Sequence, residues 1–466
     1  MYVNVSKRVY KNKTYYAVRI FQTYYRNGKR VNKIIKTIGN TTDPKEVEKL
    51  KRIAYSYIIR MHKDIKLTLS DIKKIKPHSP AGLIKTVEQI FINLEIYEHL
   101  RKIFRNNYEE FIDEIVYRFY PILSERMLCL ITGKPKDRYY RLLDDIYMAK
   151  REIENIFYNA LVKKGKIVCN KVKIDSTSTY FEGNGPSLAM YGYSRDHRED
   201  RKQIIILLVL IDDFPLFSYI YEGNAKDVRL FAQIIKDIKE RTKCKKMMLI
   251  SDRGFFHPDH LDFLDSQKIE YILAVPRRKS NWYIYYENKT DDFILEGRRA
   301  ILYENTELRK KLLEELDDTI LKIRNDLDVL SPSEIKRKYN YALKFIDLKR
   351  KKIKTKIVEK EKMILGRWIV ITNNWTATRE EIINEYKSLQ KIERDFHILK
   401  SELNIRPIHH RKDERVIAHI TLCVLTLLIK QIIEKELGRE MLEKLKEMFS
   451  YEIITDKGTI LWEENL

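Results

Sequence analysis

The chain has 466 residues, which is too long for one ordinary hydrophobic core and predicts two to four domains. Lysine and arginine number 90 against 67 aspartates and glutamates, so the formal net charge is +23. This excess favours a polyanionic partner such as nucleic acid. The alternative is that a composition rich in Lys, Ile and Tyr reflects an AT-rich genome or a hot habitat and only solvates the surface.

The cysteines and the apolar stretches bear on location. The four cysteines lie far apart and form no CxxC pair, which argues against a zinc ribbon and favours a reducing, cytoplasmic setting. The start of the chain has no signal-peptide pattern. The most apolar stretch, residues 416–429, is too short to cross a bilayer and predicts a buried helix. We therefore expect no membrane partner.

The first segment, residues 1–62, is predicted to be a basic DNA-binding segment. Residues 1–40 contain ten lysines or arginines and no acidic residue, with tyrosines between them. The alternation of polar and β-favouring residues around Asn27 and Gly28 predicts a hairpin or small sheet. Pro44 begins a predicted helix. Basic and aromatic side chains together suit contacts to DNA phosphates and bases.

Residues 63–165 are predicted to form an all-helical domain, because from about residue 80 onward the apolar residues recur at three- and four-residue spacing. The domain either touches DNA through its basic surface or serves only for packing.

Residues 166–276 follow a different pattern, in which short apolar runs are separated by turn residues. The order is three strands, helix, strand, helix, strand, which predicts the first part of an α/β ribonuclease H-like catalytic core. Asp175 is predicted to close the first strand and Asp252 to close the fourth. Both lie at carboxyl ends of strands, where a catalytic edge forms.

The remaining chain is divided into three segments. Residues 277–364 are predicted to be an inserted α+β subdomain, because charged helical pieces interrupt the strand pattern there. Residues 365–440 are predicted to complete the core, with one strand followed by helices. Residues 441–466 are assigned as a C-terminal tail.

The stretch from Tyr386 to Lys400 is predicted to be one helix. With about 100° of turn per residue, Tyr386, Glu393, His397 and Lys400 fall within an arc of roughly 60°. The alternative is a solvated polar face. Glu393 gains meaning from its position after Asp175 and Asp252, because three carboxylates from separate elements are the hard oxygen ligands that two Mg²⁺ or Mn²⁺ ions need for phosphoryl transfer.

Several basic residues have two open interpretations. Arg253 follows Asp252 directly and either reaches a phosphate or makes a structural salt bridge. His397 contacts DNA, tunes the carboxylate, or is an ordinary core or surface histidine. A basic cluster before the last long helix either contacts DNA or is a solvated connector. Its members are Arg406, His409, His410, Arg411, Lys412 and Arg415.

Three motifs carry a family resemblance. They are KIDSTSTYFEG around Asp175, ISDRGFF around Asp252, and YKSLQKIERDFHILK around Glu393. The chain resembles a DDE transposase of a prokaryotic insertion sequence, from the group with an insertion in the core and the signature Y-x2-R-x3-E-x6-K. Tyr386, Glu393 and Lys400 occupy three of its positions, whereas Leu389 stands where arginine is expected.

The resemblance implies DNA cleavage at the ends of an insertion sequence and transfer of the 3′ ends to target DNA. Asp175, Asp252 and Glu393 would be the catalytic residues and would hold two Mg²⁺ or Mn²⁺ ions. Tyr386 and Lys400 would contact the DNA backbone. The partners would be double-stranded terminal repeats, target DNA and a second copy in a synaptic homodimer, at the prokaryotic nucleoid.

Some relatives release their element through a DNA hairpin and hold a flipped base against aromatic side chains. Trp282, with Tyr283, Tyr285 and Tyr286, could serve such stacking, or these aromatics could fill the insertion's own core. Two alternatives to transposition remain open. One is a metal-dependent DNA nuclease of the same fold, and the other is an inactive element remnant that binds DNA.

Overall fold

The computed structural model describes residues 2–10, 13–26, 29–44, 46–47, 50–51, 54, 72–120, 124–225, 227–276, 286, 292–455 and 458–463. The chain divides into two compact units. The first unit comprises Met1–Asp145, Glu402–Asn404 and Ile429–Leu466. The second unit comprises Ile146–Ser401 and Ile405–Leu428. The six segments expected from the sequence stay a prediction.

The first unit begins with a three-stranded antiparallel sheet in the order β1-β2-β3, which confirms the predicted small sheet. Its strands are β1 (Tyr2–Tyr10), β2 (Lys13–Arg26) and β3 (Lys29–Thr41). Val18 and Ile20 on β2 pack with Val47 and Ala54, which follow in helical backbone. The sheet therefore has a small core of its own.

Helices make up most of the described chain from residue 81 to residue 145, as the apolar spacing predicts, but strand β4 (Ile72–Ser79) shows that residues 63–165 are not all helical. The helices are α1 (Ala81–Asn93), α2 (Tyr97–Phe104), α3 (Tyr108–Tyr117), α4 (Glu125–Thr132) and the start of α5 (Lys136–Lys163). Phe104 and Phe111 stack with ring centroids 4.1 Å apart in the core between α2 and α3. Burial of such aromatic surface is the main stabilising contribution here.

The segment assigned as a C-terminal tail has regular structure. Helix α14 (Arg439–Glu447) precedes strands β15 (Ser450–Thr455) and β16 (Gly458–Glu463). Strand β15 pairs antiparallel with β4 (Ile72–Ser79), so this sheet joins parts of the chain more than 370 residues apart. A pairing over such a sequence distance leaves no local pattern for sequence reasoning to find.

An eight-stranded mixed sheet forms the centre of the second unit, in the order β10-β11-β14-β9-β8-β5-β6-β7. Its first five strands along the chain are β5 (Lys171–Tyr180), β6 (Gln203–Ile211), β7 (Phe214–Glu222), β8 (Met248–Ser251) and β9 (Glu270–Ala274). β5, β8 and β9 are parallel neighbours, whereas β6 and β7 extend the sheet antiparallel. The predicted order of these strands is confirmed.

Two helices make the crossovers that parallel strands require. α6 (Asp227–Thr242) leads from β7 to β8, and α7 (Pro258–Ser266) leads from β8 to β9. Helix α7 begins where the sequence predicts, because Pro258 occupies its first turn and the His257 side chain accepts a hydrogen bond from the Asp259 backbone N–H.

The chain between β9 and β14 extends the central sheet and also forms a separate helical part. Strands β10 (Phe293–Leu295) and β11 (Arg298–Glu304) lengthen the central sheet through β14 (Arg367–Thr372). Helices α8 (Thr306–Leu327), α9 (Pro332–Lys338) and α10 (Thr355–Ile364), with a short hairpin of β12 (Ile346–Asp347) and β13 (Lys352–Ile353), surround a separate apolar cluster.

The stretch from Tyr386 to Lys400 is not one helix, so that prediction is wrong. Helix α11 (Arg379–Lys387) ends and α12 (Gln390–Ser401) begins after a turn at Ser388 and Leu389. The backbone N–H of Leu389 bonds to the Tyr386 carbonyl at 3.1 Å, three residues back, as in a 3₁₀ turn. Glu393, His397 and Lys400 still share one face, but Tyr386 belongs to the other helix.

Helix α13 (Asp413–Leu437) is long and apolar enough to cross a membrane by length and composition. In the structure 89% of its most apolar window is buried. This agrees with the buried helix predicted for residues 416–429.

Candidate functional site

Asp175 and Asp252 come together because their strands are parallel neighbours. In the register of β5 and β8, Ile174 lies opposite Ser251, so the two aspartates follow side by side. Neighbouring strands lie about 4.8 Å apart, which brings both carboxylates to one edge of the sheet. β8 ends at Ser251, and the Asp252 side chain caps the short 3₁₀ turn Arg253–Phe255 by accepting a hydrogen bond from the Arg253 N–H.

Glu393 reaches this edge from the first turn of α12, which packs against β5. Glu393 is an exposed residue whose carboxyl is partly shielded from water; this partial burial raises the pKa of the carboxyl, and the negative charge of Asp252 raises it further. Asp252 acts in the same direction on Asp175. The charge of Asp252 thus acts on both other carboxyls, so the three groups lie close enough to interact electrostatically.

Asp175 is the most deeply buried of the three, with 7% of its surface exposed. Burial raises the pKa of its carboxyl to about 6, although the Arg195 guanidinium lowers it. Arg195 Nη1 lies 3.3 Å from Asp175 Oδ1, and the Ser176 backbone N–H donates to the same oxygen at 2.7 Å. Arg195 also donates to the carbonyl and hydroxyl oxygens of Ser176.

The three carboxylates are hard oxygen donors of the kind that divalent metal ions bind, although their donor atoms are not all within 4.8 Å of one another. Asp175 lies in the middle of β5 and not at its carboxyl end, so that part of the sequence prediction is wrong, whereas Asp252 follows the last residue of β8 and Glu393 lies on α12. Burial is the main cause of the raised pKa values of Asp175 and Glu393, and the negative charge of Asp252 adds to it, so a bound cation would favour the ionised forms. The Arg195 guanidinium lowers the pKa of Asp175 and so compensates part of the negative charge at this edge.

A cavity of about 830 Å³ is lined by Asp252, the only one of the three carboxylates on its wall, and by Ser176, the residue after Asp175. Asp252, Arg253 and Gly254 form one side, and the segment from Gly192 to His197 forms another. The Arg253 side chain is exposed, and Arg253 lines this cavity. The cavity therefore combines an acidic edge with basic side chains, as a site for a metal-bound phosphate would.

Two predicted DNA-binding residues converge on one acid. Lys400 Nζ lies 3.0 Å from Asp196 Oδ1, and Arg406 Nη1 lies 2.8 Å from Asp196 Oδ2. Arg406 and Arg198 also lie over the Tyr180 ring, with guanidinium carbons 5.2 Å and 5.0 Å from its centroid. These contacts join the last helices of the unit to the end of β5.

The other predicted contact residues are dispersed. His397 is exposed and its Nδ1 lies 3.2 Å from the Ser401 hydroxyl, and Arg411 is exposed before α13. Tyr386 is half-buried on α11. Trp282, Tyr283 and Tyr285 lie outside the described residues. Tyr286 is described and completely buried, as expected for a residue that fills a local core. The functional roles of these residues stay predictions.

Sequence reasoning missed Arg195 and Asp196. Both belong to the charged run RDHRED between β5 and β6, a loop from which sequence reasoning selected no functional residue. Alternating charges usually indicate a solvated loop, so the run was not distinctive. The available signal was its position after Asp175, on the connection that leaves the strand carrying the first carboxylate.

Comparison with known proteins gives three findings. A sequence model of the family described as "Transposase DDE domain" matches residues 171–429. A search of curated proteins found no match. The structure is similar to the piggyBac transposase solved by cryo-electron microscopy in a synaptic complex with hairpin DNA, with a TM-score of 0.41 and 10% sequence identity. That likeness covers 83% of this chain and 80% of the other.

Proposed function

The chain belongs to the family of transposases that share the DDE domain, and from this premise we propose that it cuts the ends of an insertion sequence and joins the freed 3′ ends to target DNA. The proposal includes a ribonuclease H-like core. The strand order β7-β6-β5-β8-β9, with β5, β8 and β9 parallel, supports that core.

One observation carries the proposed chemistry: the parallel register of β5 and β8 brings Asp175 and Asp252 side by side, and α12, which packs against β5, carries Glu393. Asp252 also raises the pKa of both other carboxyls, in addition to the larger effect of burial. The three carboxylates would hold two Mg²⁺ or Mn²⁺ ions. When bound, such ions lower the pKa of water and stabilise the attacking and leaving oxygens of an in-line displacement. DDE transposases use divalent metal ions, which agrees with this donor set.

The chain's own residues bind and orient the DNA. Lys400 and Arg406 supply cations for the DNA backbone, and exposed Arg253 adds another on the cavity wall. Arg195 stabilises the ionised form of Asp175, the form that binds metal. In the proposed assembly two copies hold paired DNA ends. The proposed setting is the prokaryotic cytoplasm, on the ground given by the sequence that the chain has no CxxC pair.

Magnesium-dependent cleavage tests the proposal. Duplexes carrying the DNA that flanks the coding sequence should be cut by the wild-type protein in Mg²⁺. Asp252→Asn and Glu393→Gln should each lower the rate by at least about a thousandfold, because each removes a charged ligand worth several kcal/mol. Asp259→Asn is the matched control, since this exposed carboxylate lies in the first turn of α7.

The other outcomes separate the alternatives. Variants that cut as fast as the wild type would show that the carboxylate site is wrong. Cleavage without joining to a target would identify a nuclease. DNA binding without any cleavage would identify an inactive remnant.

A further inference from the structure

Asp196 lies in a tight turn that is tied to the strand carrying Asp175. The Arg195 backbone N–H donates to the Ser178 hydroxyl at 3.0 Å, and buried Ser194 accepts from the Arg198 backbone N–H at 3.1 Å. The Arg195 side chain binds Ser176 and Asp175. The position of Asp196 is therefore fixed relative to the carboxylate site through bonds on both sides of it.

The Asp196 carboxylate joins two cations from different parts of the chain. Its Oδ1 pairs with Lys400 at the end of α12, and its Oδ2 pairs with Arg406 in the segment before α13. The side chains are partly buried, with 16% of Asp196, 17% of Lys400 and 28% of Arg406 exposed. Ion pairs of this exposure are ordered and less screened than surface pairs.

Lys400 and Arg406 each have more N–H donors than Asp196 accepts, so both can still bind an anion. A lysine ammonium has three N–H donors and an arginine guanidinium has five. Among the described residues, Asp196 accepts one donor from each. Asp196, Lys400 and Arg406 together carry a net positive charge, so the group attracts a phosphate. The ion pairs with Asp196 fix the directions of the two cations.

Repulsion among the cations explains why an anion is needed at this point. Burial lowers the pKa of Lys400, and the nearby charges of Arg406 and Arg195 lower it further, whereas Asp196 raises it. Without Asp196, Lys400 and Arg406 would lose the carboxylate that both contact, whereas Arg195 would keep its contact with Asp175. Lys400 and Arg406 would then repel each other, and Lys400 would lose its proton at a lower pH.

We propose that Asp196 is a positioning residue that holds Lys400 and Arg406 in one geometry for two consecutive phosphates of the DNA strand next to the carboxylate site. This inference rests on the proposed function, because it assigns the cations to DNA. The expected effect of removing Asp196 on DNA binding is opposite to that of a simple change in charge. Removal of an acid from a DNA-binding surface strengthens binding by charge alone, whereas loss of a positioning residue weakens productive binding.

The test compares Asp196→Asn with Asp200→Asn. Both substitutions remove one negative charge from the same loop, and Asp200 pairs with Arg198 and Arg201 rather than with Lys400 or Arg406. Asp196→Asn should cut flanking-DNA duplexes in Mg²⁺ at least about tenfold more slowly than Asp200→Asn. The alkaline limb of its pH–rate profile should move to lower pH, and Asp196→Glu should restore part of both effects.

A binding measurement keeps this inference separate from catalysis. Affinity for the same duplexes is measured without divalent metal over a range of salt concentrations. Asp196→Asn should show a shallower salt dependence than Asp200→Asn, by about one to two phosphate contacts. Equal salt slopes for the two variants would overturn the inference, whether or not the wild type cuts DNA. Faster cleavage by Asp196→Asn would also overturn it, since Asp196 would then compete with DNA.

Discussion

Asp175 shows at the scale of one residue how function opposes stability. Its carboxyl is buried beside a second acid, and its pKa of about 6 lies above the ordinary value of 3.8. The folded chain therefore holds the proton of Asp175 more tightly than the unfolded chain does, whereas metal binding needs the ionised form. Ionisation of Asp175 costs folding free energy that a bound cation would offset.

The pH dependence of stability tests this statement. A raised folded-state pKa means that the contribution of Asp175 is most favourable below pH 4 and becomes unfavourable as the pH rises through about 6. Relative to wild type, Asp175→Asn should gain up to about 3 kcal/mol in unfolding free energy between pH 4 and 7. Chemical denaturation at several pH values without divalent metal measures this difference.

Asp259→Asn serves as the control for that series, because Asp259 is exposed. A difference between Asp175→Asn and wild type that stays constant across pH would show that the Asp175 carboxyl is not perturbed. Mg²⁺ should stabilise the wild type above pH 6 and should not stabilise the variant to the same degree.

The turn between α11 and α12 determines the orientation of Leu389. The DDE signature that this chain resembles has arginine at this position, but here the side chain is 6% exposed. The break after Lys387 changes the phase of the following residues, so position 389 faces the interior while Glu393 is exposed. An apolar residue is therefore the one that this backbone accepts.

Leu389→Arg should destabilise the protein rather than improve DNA binding. Burial of an unpaired guanidinium should cost on the order of 3 kcal/mol, measured as a lower thermal midpoint. Leu389→Met is the volume-matched control and should cost less than about 1.5 kcal/mol. An arginine variant that keeps wild-type stability and binds DNA more tightly would show that the side chain can turn outward.

Gly297 and Gly366 are required for different reasons, the first for its backbone conformation alone and the second also for close packing. Gly297, in the turn between β10 and β11, has φ +72° and open space around it, and Gly366, before β14, has φ +66°. A Cβ at Gly366 would lie 2.6 Å from Arg309 Cα on α8. Gly366 thus allows the first turn of α8 to approach the strand that enters the core.

Alanine at both positions gives the corresponding prediction. Gly297→Ala should cost about 1 kcal/mol, because only the left-handed backbone is strained. Gly366→Ala should cost more, by at least about 1 kcal/mol, because its Cβ would also meet backbone that must shift. Denaturant midpoints of the two variants measure the difference. Equal costs would mean that α8 moves without penalty.

At the scale of the whole molecule, residues 1–40 contain ten lysines or arginines and no acidic residue, so this short segment carries a large share of the net charge of +23. Lys7 and Arg8 on β1 are exposed, and the apolar cluster under the sheet involves only residues 3–54 among those described. Removal of residues 1–60 therefore takes away a basic surface together with its own core.

DNA affinity measures the contribution of this surface. Wild-type affinity should fall by about a thousandfold or more between 50 and 200 mM salt if six or more phosphates are contacted. Deletion of residues 1–60, or Lys7→Gln with Arg8→Gln, should weaken binding and reduce the slope. Lys310→Gln with Lys311→Gln, on exposed positions of α8, removes the same charge elsewhere. A flat salt dependence would contradict a role for the basic segment.

Local patterns in the sequence were sufficient to predict the elements of the catalytic half. The apolar runs of β5, β6 and β7 and the Asp that follows β8 could be recognised because strand burial and turn chemistry depend on nearby residues. The carboxylates Asp175, Asp252 and Glu393 could be selected for the same reason. The electrostatic interaction among these carboxylates could not be predicted from the sequence, since it depends on the register of β5 against β8 and on the packing of α12.

The sequence by itself determined the basic charge, the order of strands and helices in the core, and the family motifs, because each is a property of residues close together along the chain. Only the tertiary structure decided the break that turns Leu389 inward, the pairing of β15 with β4, and the meeting of Lys400 and Arg406 at Asp196. Lys400 and Arg406 lie more than 200 residues from Asp196, and β15 lies farther still from β4. Such contacts are selected by the packing of the whole chain.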